Sequence, residues 1–369
     1  MKILHLLGAN KDLGGILSVL RNLANASLHL GWKHVVLVNE RYKEVRAPQL
    51  EYRFIKHLLD ESDSHLRLLW GALQAQRSLF HLLTKERFDL VHAHSRGGFL
   101  AMLMARCRRS QPMVFTNHAY ARRLWLYRWA ASRPGMFTTV LTRAMSDYYG
   151  LSPDGDKIRI ISSCCSDAHF SKPLHQPRPA GGMKEPVRLT GLGNILRWKN
   201  WHLIIAALGL LTPAERLRFQ VKIIGPTLQA KDSVAYEQEL RAAVERHGLS
   251  RQFHLAGPSA DTSEDLRCCD WLIHPAIDEP CGVAVIEALA LGLPVLAARS
   301  GGPAEFVQHG KTGLLFDPFA PAELASQLRG ILANPPSLLP PASIRESVRD
   351  RSASGVLPSY VKLYGRVCS

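Results

Sequence analysis

Short β-branched and apolar runs alternate with helix-length segments along this chain. The alternation runs twice, broken once by a stretch dense in proline and glycine. In the first half, residues 2–7, 34–39, 52–55, 89–92, 113–117, 138–142 and 157–162 read as strands. Segments 66–86 and 98–109 between them have helical length. Such alternation predicts a parallel, doubly wound sheet, because parallel neighbours need a long crossover, usually a helix. The break spans 171–186, with Lys172-Pro173, Pro177-Arg178-Pro179 and Gly181-Gly182, and reads as a linker. The pattern then restarts with strands at 187–193, 219–225, 253–257, 271–275, 295–298 and 313–316, and helices at 202–211, 234–247 and 282–291. The expected architecture is α/β, with two doubly wound, Rossmann-like parallel-sheet domains facing a cleft. The boundaries read as 1–171, a linker at 172–186, a second domain at 187–342, and a helical segment at 343–369 that packs back toward the first domain. Pro358 is expected to open the last helix, with Val361, Leu363, Tyr364 and Val367 on its apolar face. Ligands of open α/β sheets bind outside the carboxyl ends of strands, which puts the expected site in the cleft.

Composition excludes several other classes. Hydrophobic residues make up 46% and charged residues 21%, so a disordered chain is not expected. The longest apolar stretch, 281–298, is interrupted by Glu287, Gly292 and Pro294 and reads as a buried helix and strand, not a membrane span. The opening Met1-Lys2-Ile3-Leu4-His5 shows no secretory pattern, which favours a cytoplasmic protein. The seven cysteines form no C-x-x-C ladder, consistent with reduced thiols and no zinc site. Charge is unevenly divided. Residues 1–180 carry 26 lysines and arginines against 13 aspartates and glutamates, whereas residues 181–369 carry 20 against 18. One domain is therefore expected to face something anionic: nucleic acid, a membrane surface or a phosphorylated acceptor.

The densest chemistry lies between His274 and Pro294. An apolar strand ends near Pro275, and a helix is expected to open after Pro280. The N–H groups of Cys281, Gly282 and Val283 would then form an anion site at a helix start, suited to a diphosphate. Glu279 precedes the helix and Glu287 lies two turns inside it. On pattern alone they are read equally well as acceptors for sugar and ribose hydroxyls, or as a dipole complement and a partner of a buried base. No carboxylate or histidine cluster there has metal-ligand spacing.

The Glu279-x7-Glu287 spacing, Gly292-Leu-Pro294-Val295, Gly301-Gly302-Pro-Ala-Glu305 and Gly310-Lys-Thr-Gly313-Leu-Leu-Phe together resemble the retaining GT-B glycosyltransferases, particularly glycosyltransferase family 4. The likeness runs from Gly14-Gly15 to Ser359-Tyr-Val-Lys-Leu-Tyr364. It implies a nucleotide-sugar donor as co-substrate, no separate cofactor, and a metal-independent transfer with retained anomeric configuration. By the resemblance, Glu279 holds the hydroxyls of the transferred sugar and Glu287 the nucleotide ribose. Lys199 matches the family's diphosphate-binding lysine. Asn194 stands where the family has an arginine, with Arg197 the nearest replacement. Gly14 and Gly15 match the family's glycine loop, and His118 the histidine beside the anomeric carbon; His92 and His94 read as structural. Ser162-Ser-Cys-Cys-Ser166 replaces the family's usual Pro-Asn-Gly-Val-Asp.

Beyond His118, Arg122, Arg123, Arg128 and Arg133 interleave with Trp125, Tyr127 and Trp129, and Arg106, Arg108 and Arg109 add to the charge. This segment reads either as an ordinary amphipathic helix or as one lying on an anionic membrane, which would place the protein peripherally on the inner face of the cytoplasmic membrane. The acceptor expected from it is a glycan that is lipid-linked or phosphorylated, such as lipopolysaccharide core. A non-hydrolysing nucleotide-sugar epimerase is the alternative enzyme class. A nucleic-acid-binding protein, suggested by the charge, lacks any supporting motif.

Overall fold

The computed structural model describes residues 1–7, 15–43, 46–56, 65–106, 112–120, 128–129, 132, 136–151, 158–177 and 185–369, with only the backbone given for His65 and Arg106. Gly14, Arg108, Arg109, Arg122, Arg123, Trp125, Tyr127, Arg133, Arg178, Pro179, Gly181 and Gly182, singled out above, lie outside the described residues.

The chain forms two units, one of Met1–Asp167 with Arg351–Ser369 and the other of Ala168–Asp350. The first holds a seven-stranded parallel sheet of order β3-β2-β1-β4-β5-β6-β7. Its strands are β1 (Lys2–Leu6), β2 (Lys33–Asn39), β3 (Leu50–Ile55), β4 (Leu90–Ala93), β5 (Met113–Asn117), β6 (Met136–Val140) and β7 (Ile158–Ile160). The second unit holds six parallel strands in the order β10-β9-β8-β11-β12-β13. These are β8 (Val187–Leu192), β9 (Phe219–Ile224), β10 (Phe253–Gly257), β11 (Trp271–His274), β12 (Val295–Ala298) and β13 (Gly313–Phe316). Central strands such as β4 and β11 are buried along their whole length, as a sheet covered on both faces requires. The two doubly wound, Rossmann-like domains expected from the alternation are present.

In each sheet the strand order reverses once, between β1 and β4 and between β8 and β11. Loops leaving the carboxyl ends of such a strand pair diverge and leave a crevice. Leu192 and His274 are the ends that matter in the second unit; Leu6 and Ala93 are those in the first.

The last helix, Ala353–Cys368, differs from expectation. Pro358 lies inside it, and Ser352 is the N-cap, accepting from the Gly355 N–H. Proline is tolerated there because Pro358 and Ser354, whose carbonyl loses its partner, are both on the exposed face, where water can bond that carbonyl. Leu363, Tyr364 and Val367 are buried, whereas Val361 faces outward. Cys165 bridges to Ser352, and Asp167 accepts from the Ser354 N–H and hydroxyl at 3.0 and 2.7 Å. The Ser162–Ser166 stretch therefore anchors this helix within the first unit.

Candidate active site

In the second unit β8 ends at Leu192, and Gly193 follows at φ 152°. A Cβ at Gly193 would lie 3.2 Å from the Lys199 Cε, so the glycine leaves the lysine stem its path. Asn200 closes this loop in the left-handed conformation, its amide donating to the Pro275 and Pro318 carbonyls at 3.1 and 2.8 Å. The Ile277 N–H donates to the Trp198 carbonyl at 2.8 Å. These bonds clamp the loop after β8 to the loop after β11.

That clamp brings Lys199 and Glu279 together. The Lys199 Nζ lies 2.5 Å from the Glu279 Oε2, with both side chains nearly buried, and 4.2 Å from the Trp198 ring centre. Fully buried His274 places its Nε2 3.2 Å from the same oxygen. Burial alone would raise the Glu279 pKa, but the Lys199 charge and the bonds from His274 and Lys199 outweigh it and hold the carboxyl well below its usual range. Burial lowers the His274 pKa more than Glu279 raises it, so the imidazole is neutral near pH 7. A carboxylate only accepts, so the Nε2 carries the proton and the Nδ1 is a buried, unpartnered acceptor. No partner among the described residues reaches the Glu279 Oε1.

The helix beyond begins at Val283, two residues later than Pro280 suggests, and Gly282 is its N-cap at φ 82°. A Cβ at Gly282 would meet Pro303 at 2.9 Å, and one at Gly302 would meet the Cys281 backbone at 2.6 Å. The Gly302 N–H donates to the Glu279 carbonyl at 2.7 Å. The Gly301-Gly302-Pro303 signature is thus a close approach of two backbones that fixes the loop carrying Glu279. The N–H groups of Gly282 and Val283 have no acceptor among the described residues. Half-buried Glu287 likewise has no ion-pair or hydrogen-bond partner among them, and burial pushes its pKa up to about 7.

Arg197 is held elsewhere. Its guanidinium makes a bidentate, exposed pair with Glu239 at 2.7 and 2.6 Å and lies over Tyr236. Asn194 gives its carbonyl to the Trp201 indole N–H at 3.2 Å.

In the first unit, Gly15 opens the helix Gly15–Ala26, and His118 follows β5. The His118 Nε2 lies 3.1 Å from the His94 Nδ1, and the His94 Nε2 lies 3.0 Å from the His5 Nδ1. His5 meets His34 at 2.9 Å, and His34 meets the Ser27 hydroxyl at 2.9 Å. His92 packs against His94 with centroids 3.9 Å apart and ring planes tilted by 31°. The ring nitrogens of His92 lie 2.6 Å from the Tyr364 hydroxyl and 2.6 Å from the Thr116 hydroxyl. His5, His92 and His94 bring ring nitrogens within 4.8 Å of one another, a metal-like cluster invisible in sequence spacing. Every ring nitrogen in that trio already has a hydrogen-bond partner. Arg128 donates to the Tyr149 carbonyl at 2.6 Å, at the end of the helix Arg143–Tyr149, and Trp129 is 38% exposed.

Sequence reading missed His274, His5 and His34. The available signal was a histidine set within or at the end of an otherwise apolar, buried strand: Lys2-Ile-Leu-His5-Leu in β1 and Trp271-Leu-Ile-His274 in β11.

Two family models match this chain: "Glycosyltransferase Family 4" over residues 13–165 and "Glycosyl transferases group 1" over residues 179–349. The chain is similar to the 2-deoxystreptamine N-acetyl-D-glucosaminyltransferase of Niallia circulans, at 26% identity over 76% of this chain and 77% of that protein. It is also similar to the lipopolysaccharide glucosyltransferase WaaG of Escherichia coli, at 31% identity over 27% of each chain. Among solved structures it resembles Anabaena Alr3699/HepE in complex with UDP and glucose, with a TM-score of 0.76, 20% identity, and 99% of both chains covered. With one model on each half and the fold shared end to end, the chain belongs to the GT-B glycosyltransferases of family 4 type.

Proposed function

We propose that the protein is a retaining, metal-independent glycosyltransferase that moves a sugar from a nucleotide-sugar donor to a glycan or glycolipid acceptor. The observation that carries this reading is the Lys199–Glu279–His274 cluster beyond the switch point of β8 and β11, with unpartnered Glu287 on the adjoining helix. Glu279 is fixed as an ionised acceptor by two donors on one oxygen, leaving the Oε1 for a sugar hydroxyl. Glu287 offers its half-buried carboxyl, without a partner among the described residues, to the ribose hydroxyls. The diphosphate takes the Lys199 ammonium and the N–H groups at Gly282 and Val283. As the glycosidic bond breaks, negative charge grows on the diphosphate, and these pre-placed donors stabilise it electrostatically. The UDP and glucose held by the Anabaena relative support this donor class. By the family likeness, His118 is assigned to the donor sugar and the Gly14-Gly15 pair to the diphosphate. Arg197, engaged with Glu239, is left out of the donor site.

The acceptor is proposed to be a lipid-linked or phosphorylated envelope glycan, met at an anionic membrane surface. No helix among the described residues is long and apolar enough to cross a membrane. The helix His65–Lys85, however, contains no acidic residue and exposes Leu66, Leu69, Trp70, Leu73 and Phe80 beside Arg67, Arg77 and Lys85. Apolar anchors flanked by cations suit an anionic bilayer face. Incubation with donor and lipid-linked acceptor tests the whole reading. Transfer with retained anomeric configuration is expected; an epimerised nucleotide sugar as main product would overturn it.

A further inference from the structure

Three buried imidazoles, the half-buried His118 and one buried hydroxyl form an unbroken hydrogen-bonded line through the first unit: Ser27, His34, His5, His94 and His118. Each link is 2.9–3.1 Å. Burial lowers the pKa of every histidine in it, to about 4 for His34 and His118. A neutral imidazole has one N–H and one bare nitrogen, so the tautomer of each ring dictates that of the next. The polarity of the whole line is therefore set at its end.

That end is Ser27. Its hydroxyl proton is directed at the Ala24 carbonyl, 3.2 Å away in the last turn of the helix Gly15–Ala26. Leu28, four residues on, lies beyond that helix, so this carbonyl is one of those a helix end leaves to other donors. With its proton committed, the Ser27 oxygen accepts from the His34 Nε2. The His34 Nδ1 is then bare and accepts from the His5 Nε2, whose Nδ1 accepts from the His94 Nε2. The His94 Nδ1 in turn accepts from the His118 Nε2.

We propose that Ser27, His34, His5 and His94 are positioning residues that lock His118 as its Nε2–H tautomer, so that it presents a bare Nδ1 as a hydrogen-bond acceptor to a ligand hydroxyl. His92 packs against His5 and His94 without joining the line, since its nitrogens are taken by Tyr364 and Thr116. The Nδ1 of His118 has no partner among the described residues. A hydroxyl that donates is recognised there, and an acceptor such as a carbonyl or ether oxygen is rejected. The ligand part of the proposal rests on the reading of His118 as a donor-sugar contact; the tautomer part does not.

Long-range nitrogen–proton NMR spectra of the ¹⁵N-histidine-labelled full chain at pH 7 test it. The ligand-free protein is expected to show His118 with a protonated Nε2 and an unprotonated Nδ1. The opposite tautomer, or an equal mixture, overturns the lock. In His34→Phe and Ser27→Ala, His118 is expected to become a mixture, and Ser27→Thr, which keeps the hydroxyl, to restore one tautomer. Loss of one aligned hydrogen bond predicts a donor KM raised roughly tenfold in His34→Phe, with kcat little changed. An unchanged His118 spectrum in both variants overturns the relay, and if neither folds the unsubstituted spectrum still decides the tautomer. UDP-glucose serves as the probe for the ligand part. A lock without any UDP-glucose-induced change at the Nδ1, in a protein that binds the probe, overturns the sugar contact and leaves the relay standing.

Discussion

In the second unit, the side chains gathered beyond the switch point include a compensated charge pair, an ammonium and a carboxylate it shares with a neutral imidazole, beside a second carboxyl with no partner among the described residues. In the first unit, the corresponding region around β1, β4 and β5 holds a line of neutral imidazoles. The sheets share one plan, yet one site works by fixed charge and the other by fixed tautomer. The difference follows from what each would meet. A diphosphate leaving group needs positive charge aimed where negative charge grows, whereas sugar hydroxyls need acceptors in a set orientation.

The comparison breaks most visibly at Lys199. Lys199→Ala is expected to lower kcat by about 10²–10³, the usual loss on removing one transition-state donor. It also leaves Glu279 buried without its ammonium, and such losses cost about 3–5 kcal/mol, read as a lower melting temperature. Wild-type turnover in this variant would place the phosphate charge elsewhere.

The next effect belongs to Glu287. With its pKa raised by burial to about 7, the carboxyl is largely protonated below that pH. Ribose hydroxyls bond best to the ionised form, so binding lowers this pKa and donor affinity should rise with pH up to about 7, then level off. Calorimetric titration with UDP-glucose, whose diphosphate does not titrate in this window, checks the sign. Glu287→Gln should flatten the profile.

A smaller effect is expected at the membrane. Paired Leu69→Ser and Trp70→Ser substitutions should weaken co-sedimentation with anionic phosphatidylglycerol vesicles and leave donor binding intact; equal binding by the variant would remove this helix from the account. Smallest of all is Arg197→Ala. Its exposed pair with Glu239 is of a kind that contributes little, and the donor KM should scarcely move. A large rise would mean that Arg197 leaves Glu239 to reach the diphosphate.

All thirteen strands among the described residues were legible: the central ones, buried on both faces, read as short apolar runs, and glycine and proline markers punctuate the series. The positions of Lys199 and Glu279 were legible through the family likeness, but their contact was not, since it spans 80 residues and depends on the Asn200 clamp. The diversion of Arg197 to Glu239 depends on the tertiary placement of the helix Lys231–Arg246. The imidazole line was hidden for the same reason. Its members come from β1, β2 and the ends of β4 and β5, and only sheet order makes them neighbours. Pro358 misled because its helical start signal ignores which face of the helix it occupies.

The central claim is that the second unit binds a nucleotide sugar through Lys199, Glu279 and Glu287. A thermal-shift panel of UDP-, GDP-, ADP- and CMP-sugars against the wild-type chain and Glu287→Ala tests it most directly. At least one sugar nucleotide should raise the wild-type melting temperature, and most of that shift should vanish in Glu287→Ala. No shift with any of them, or a full shift retained in Glu287→Ala, would contradict the account.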